Sequence, residues 1–165
     1  MNHIYISLGT NIEREKHTKA GLDALFEAFG ELELSPVYES ESVGFDGNPF
    51  YNLVVGAKTE KSLVEVCHLL KKIEKENGRI SSEKKFSPRT LDLDLLLFND
   101  EVIKIPIILP RPEILYNAFV LLPLQDLTPH KSHPEVKKSY SELWKCFDKD
   151  SQKLWKIPFI WNGQD

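Results

Sequence analysis

The chain has 165 residues, a formal net charge of −4 and a pI near 5.8, enough for one domain with its own core over 1–165. With 41% hydrophobic and 28% charged residues it has the make-up of a soluble globular protein. The acidic balance excludes a general nucleic-acid binder, whose footprint is basic.

The opening MNHIYISLG has no basic n-region, and no apolar run is long enough to span a bilayer, so the expected setting is the cytoplasm. Ile4, Ile6 and Leu8 alternate with Tyr5 and Ser7, which predicts a first strand ending at Gly9. Thr10-Asn11-Ile12-Glu13 fits a capping box with Thr10 as N-cap. Leu22, Leu25, Phe26 and Phe29 recur at helical spacing, and Gly30 stops that helix. Leu32 to Ser40 reads as a second strand, bulged or at an edge because of Pro36. Val43 to Pro49 is a loop, and Phe50 to Lys58 is a third strand with Asn52 on the face of Phe50 and Val54.

A second capping box, Ser62 with Glu65, opens a helix whose stripe of Leu63, Val66, Cys67, Leu70 and Ile73 is core; Asn77-Gly78 ends it. Cys67 is expected as a reduced, buried thiol, since Cys67 and Cys146 lack metal-ligand spacing. Glu74 lies near the helix end, where its charge opposes the dipole, and so suits a nearby cation or arginine. Arg79 to Pro88 is a ten-residue polar loop, a length often given to functional lids.

That loop leads into FSPRTLDLDLLLF, Phe86 to Phe98. Alternation puts Asp92 and Asp94 on one face and Leu91, Leu93, Leu95 and Leu97 on the other. Such a face either meets water or holds a divalent cation that relieves the repulsion between two carboxylates. Hard oxygens suit Mg²⁺, and Arg89 before the pair suits phosphoryl chemistry.

Asn99-Asp100 suits a hairpin turn returning along Glu101 to Ile105, with a short strand at Ile107 to Leu109. Asn117 to Leu127 predicts a buried helix kinked or started by Pro123, and Ser139 with Glu142 opens a short helix to Phe147. Trp144, Trp155 and Trp161 are expected to cover the sheet edge. The order strand, helix, strand, strand, helix, strand is the ferredoxin-like split βαβ pattern. This α+β fold places an antiparallel sheet under helices on one face and leaves the other for chemistry, followed by C-terminal additions.

Pro88-Arg89-Thr90-Leu91-Asp92-Leu93-Asp94, with Tyr5 to Asn11, Pro49 to Asn52, Gly78-Arg79, Pro110-Arg111-Pro112 and Ala118 to Leu124, resembles the 6-hydroxymethyl-7,8-dihydropterin pyrophosphokinase family. The resemblance implies transfer of pyrophosphate from ATP to the hydroxymethyl group of a dihydropterin in folate biosynthesis, giving AMP, by a monomer that uses neither nucleic acid nor membrane. It implies two Mg²⁺ ions on Asp92 and Asp94, and Arg79 and Arg89 as catalytic cations. The pterin would stack between Phe50 and Phe119 and be read by Asn52, Ser40 and Val43. The nucleotide would fall to Glu74, Lys85, Phe86, Arg89, Leu95, Arg111 and Pro112.

Departures from the family pattern fall at the nucleotide periphery: Phe86-Ser87, Ser81, Arg111 and Asn117, with Ser40-Glu41-Ser42 beside the pterin. They imply weaker ATP binding, with Arg111, Lys84 and Lys85 as substitute cations. Two other readings stay open: a paralogue acting on a related pterin, and a non-catalytic binding module on the same fold.

Overall fold

The computed structural model describes residues 1–40, 49–77, 91–149 and 152–161. In chain order the elements are β1 (Asn2–Thr10), α1 (Arg14–Phe29), β2 (Glu33–Leu34), β3 (Val37–Ser40), β4 (Phe50–Thr59), α2 (Leu63–Glu76) and β5 (Asp92–Phe98). A 3-10 turn (Pro112–Leu115), α3 (Ala118–Leu127), α4 (Tyr140–Lys145) and β6 (Leu154–Ile157) follow. The strands form one antiparallel sheet in the order β5-β1-β4-β3-β6, with β2 also paired to β4. Its βαββαβ portion is the expected ferredoxin-like arrangement.

The sheet carries apolar side chains on both faces. On one, Ile4, Ile6, Leu8, Leu53 and Val55 meet Leu22 and Leu25 of α1 and Val66, Leu70 and Ile73 of α2. On the other, Tyr5, Val54, Leu96 and Leu97 meet Ile114, Val120, Leu121, Leu124 and Tyr140. The C-terminal helices therefore cover part of the face that the core pattern alone leaves open.

Local chemistry explains most boundaries. The Ser62 and Ser139 capping boxes both form, each hydroxyl accepting the N–H of the glutamate three residues on at 3.2 Å. The box expected at Thr10 does not form. Thr10 pairs with Tyr51 as the last residue of β1, and α1 starts after Glu13, which lies at φ 40° without a side-chain cap. His17 stabilises that start instead, its ring N–H donating to the Ile12 carbonyl at 2.6 Å. Gly30 closes α1 at φ 80°, where glycine is unstrained.

Leu32 to Ser40 is two strands rather than one, because Pro36 has no N–H for the ladder. β3 is not an edge, since β6 pairs outside it. On β5 the leucine alternation holds to Leu95 and then shifts. Tyr5 faces Leu97 while Ile6 faces Leu95, so Leu96 is an extra residue. Leu97 consequently joins Leu96 in the core under α3, not the core under α1.

Among the described residues no strand spans 101–105; Ile103 and Leu109 make a single antiparallel bridge. Pro123 sits within α3. Gln152 caps α3 from afar, accepting the Ala118 N–H at 2.7 Å and donating to the Tyr116 carbonyl at 2.8 Å. Of the three tryptophans only Trp155 lies on the edge strand; Trp161 is buried in the α1-side core and Trp144 packs on the α3 side. Cys67 is half-buried rather than buried. No helix among the described residues is long and apolar enough to cross a membrane.

Candidate active site

Strand register assembles the site. Asp92 lies opposite Gly9, Gly9 opposite Asn52, and Asn52 opposite Tyr38, so these four form a row across β5, β1, β4 and β3. One step along, Asp94 lies opposite Ser7 and Ser7 opposite Val54. Laterally paired residues share a face, and Val54 belongs to the α3-side core. Both aspartates, Asn52, Phe50 and Ser40 are therefore on the α3 side, where Phe119 also packs.

Gly9 is the gap in that row. A Cβ at Gly9 would stand 2.9 Å from Asn52 Oδ1 and 3.8 Å from Phe50 Cδ1. Without it the Asn52 amide reaches over β1. Asn52 Nδ2 donates to Ser40 Oγ at 3.1 Å, which leaves Oδ1 as the end of the amide turned toward Gly9. Gly9 was not expected as a site residue, although a glycine at the end of an apolar strand signals close approach.

Arg111 stands beside the aspartates. Its guanidinium is 3.4 Å from Asp94 Oδ1 and donates from Nε to Glu113 Oε2 at 3.1 Å. Burial works against the charge on Arg111, but the carboxylates of Asp94, Glu113 and Asp92 outweigh it and raise the pKa. The Arg111 backbone N–H donates to the Leu96 carbonyl at 3.0 Å, and Pro112 opens the 3-10 turn next to it. Glu74 Oε2 accepts the Leu93 N–H at 2.8 Å. Two residues expected at the nucleotide thus also complete the outer edge of β5.

Tyr38 and Asp126 were missed by sequence reasoning. The Tyr38 hydroxyl donates to Asp126 Oδ2 of α3, tying the end of the row to the helix that carries Phe119. Burial and the neighbouring Asp126 push the Tyr38 phenol well above its usual range.

Leu95 does not join this cluster. Its side chain is 3% exposed in the core against α1 and α2, on the far side of the strand from Asp94. Val43, Arg79, Lys84, Lys85, Phe86 and Arg89 lie outside the described residues. An apolar cavity of about 480 Å³, lined by Leu22, Val37, Leu53, Phe159 and Trp161, lies on the α1 side and contains none of the expected site residues.

The donor set suits Mg²⁺. Asp92 and Asp94 are half-buried carboxylates on one face, and no cluster of three His, Cys, Asp or Glu groups occurs among the described residues. Two hard oxygen ligands, with water and phosphate filling the rest of the octahedron, is the usual Mg²⁺ arrangement.

The model of the 7,8-dihydro-6-hydroxymethylpterin-pyrophosphokinase (HPPK) family matches residues 5–129. The chain belongs to the HPPK family. An HPPK relative from Aquifex aeolicus, a 2-amino-4-hydroxy-6-hydroxymethyldihydropteridine pyrophosphokinase, is 37% identical over 148 residues, covering 87% of this chain and 91% of its own. The enzyme of the same name from Bacillus subtilis is 35% identical over 162 residues, covering 94% and 92%. Among solved structures, an HPPK-DHPS in complex with substrates gives a TM-score of 0.69 at 13% identity, covering 88% of this chain. Plasmodium falciparum HPPK-DHPS with SDX-DHP gives 0.65 at 16% identity, also covering 88%. The chain spans 45% and 43% of those two structures, so they speak to the HPPK fold.

Proposed function

We propose that this protein transfers pyrophosphate from ATP to the hydroxymethyl group of 6-hydroxymethyl-7,8-dihydropterin, releasing AMP, as a step in folate biosynthesis. The observation that carries the reading is the row from Asp92 across Gly9 to Asn52. It sets a carboxylate pair and a buried amide on one face, two strands apart.

Asp92 and Asp94 would hold Mg²⁺, two ions by analogy with the family, and the bound metal would supply charge neutralisation for the phosphates. Asn52, oriented by Ser40, offers Oδ1 as an acceptor for the N–H groups on the edge of the pterin ring. Phe50 and Phe119 supply aromatic surface on the same side. Arg79 and Arg89 would neutralise the phosphates as charge shifts in the transition state. Glu74, Lys85, Phe86, Arg111 and Pro112 would surround the nucleotide, and the Leu95 side chain is set aside.

The test is AMP release from ATP with the pterin, with and without Mg²⁺, using Asp94→Ala as control. Pterin-dependent AMP that vanishes without metal and in the variant is the expected result. A protein that binds pterin yet forms no AMP would instead be a binding module or act on another substrate.

A further inference from the structure

Arg111 is already engaged by the group it would have to release. Its guanidinium lies 3.4 Å from Asp94, a residue the proposed function assigns to the metal, and is braced by Glu113 at 3.1 Å. The Arg111 and Asp94 side chains are 30% and 36% exposed, so the pair is only partly screened by water. A guanidinium and a divalent cation cannot both be close partners of one carboxylate without repelling each other. The backbone on either side is fixed: Arg111 N–H bonds to Leu96, and the 3-10 turn follows at once. The side chain is therefore what moves.

We propose that Arg111 is a built-in counter-ion for Asp94. It neutralises the carboxylate in the empty site, yields it to the divalent cation, and passes to a phosphate oxygen of the incoming nucleotide. This rests on the pyrophosphokinase reading. Cation and nucleotide then bind as a unit: the metal alone must displace an arginine, whereas metal-nucleotide supplies that arginine with a new partner. Bidentate pairing serves Arg equally well with carboxylate and with phosphate.

The experiment is a Mn²⁺ titration followed by electron paramagnetic resonance, with Mn²⁺ alone and with α,β-methylene-ATP, which cannot be cleaved at that bridge. Wild type is expected to take up Mn²⁺ weakly alone and more tightly with the analogue. Arg111→Gln should bind Mn²⁺ alone roughly tenfold more tightly and Mn²⁺-analogue roughly tenfold more weakly, the size of one moderate charge contact. Lys71→Gln removes an exposed α2 cation and sets the far-field baseline, with a shift under about twofold. If Arg111→Gln does not fold, Arg111→Leu makes the same comparison with a neutral side chain that cannot ligate Mn²⁺. Unchanged Mn²⁺ affinity in the Arg111 variant, with binding abolished in Asp94→Asn, would overturn the counter-ion role alone. Unchanged binding in Asp94→Asn would remove the metal assignment itself.

Discussion

The Glu74 carboxylate of α2 accepts the Leu93 backbone N–H of β5 at 2.8 Å. Among the described residues β5 is the outermost strand on its side of the sheet, and this N–H meets no neighbouring strand there. A side chain in that place completes the edge and blocks a foreign strand from pairing there. Losing a charged acceptor from a buried donor costs about 2 kcal/mol. Glu74→Ala is expected to lower stability by about that amount in urea unfolding, with Glu74→Gln, which keeps an acceptor, losing about half. Equal stability of all three proteins would show that the bond contributes nothing.

Gly9→Ala tests the gap in the row. The new Cβ meets Asn52 Oδ1 at 2.9 Å, and that amide is held by Ser40, so the contact is relieved by turning Asn52 away. Pterin affinity, measured by fluorescence titration, should weaken roughly tenfold, the loss of about one hydrogen bond to a buried acceptor. Nucleotide affinity should not change. A loss shared equally by both ligands would point to a general distortion of the sheet.

The caps give three stability tests of equal size. Ser62→Ala and Ser139→Ala each remove a two-way capping box and should cost about 1 kcal/mol. Gln152→Ala should cost a similar ~1 kcal/mol, because its side chain does for α3 what Ser62 does for α2. Thermal melts of the three variants would check this, and a silent Gln152→Ala would mean that water replaces the distant cap.

Stability should also depend on pH through His133. Its ring is buried, and Nδ1 accepts the N–H groups of Glu135 and Val136 at 3.1 Å, so that nitrogen must stay unprotonated. Burial lowers the pKa from 6.5, with Glu135 opposing the effect in part. Below 6.5 the unfolded chain binds a proton that the folded one resists. The contribution is whole above the free value and shrinks as pH falls toward the folded one. Melting curves of wild type and His133→Gln should converge between about pH 7 and pH 5, and parallel curves would exclude His133 as the cause.

Much of the molecule was legible in the sequence where the signal is local. Alternation at Ile4, Ile6 and Leu8 and the Ser-x-x-Glu boxes depend on residues within one turn or one strand, and each forms. The Thr10 box has the same local pattern and fails because pairing with Tyr51 claims Thr10 for the sheet. Long-range relations could not be read in this way. Arg111 against Asp94, Gln152 at the start of α3 and Trp161 against Asp23 of α1 are set by tertiary placement, far apart along the chain. The shared face of Asp92, Asp94 and Asn52 follows from alternation plus strand order, which is why the centre of the site was more readable than its rim.

The extra residue at Leu96 gives β5 two phases. From Asp92 to Leu95 the strand follows one alternation, with carboxylates toward α3 and leucines toward α1 and α2. From Leu97 onward the alternation is inverted. Regular pairing through Leu96, with no residue left over, would put both halves in one alternation and turn either the Asp94 carboxylate or the Phe98 ring out of its own environment. The bulge thus works as a joint: the C-terminal layer packs on its own half of β5 while the half that carries Asp92 and Asp94 keeps its orientation.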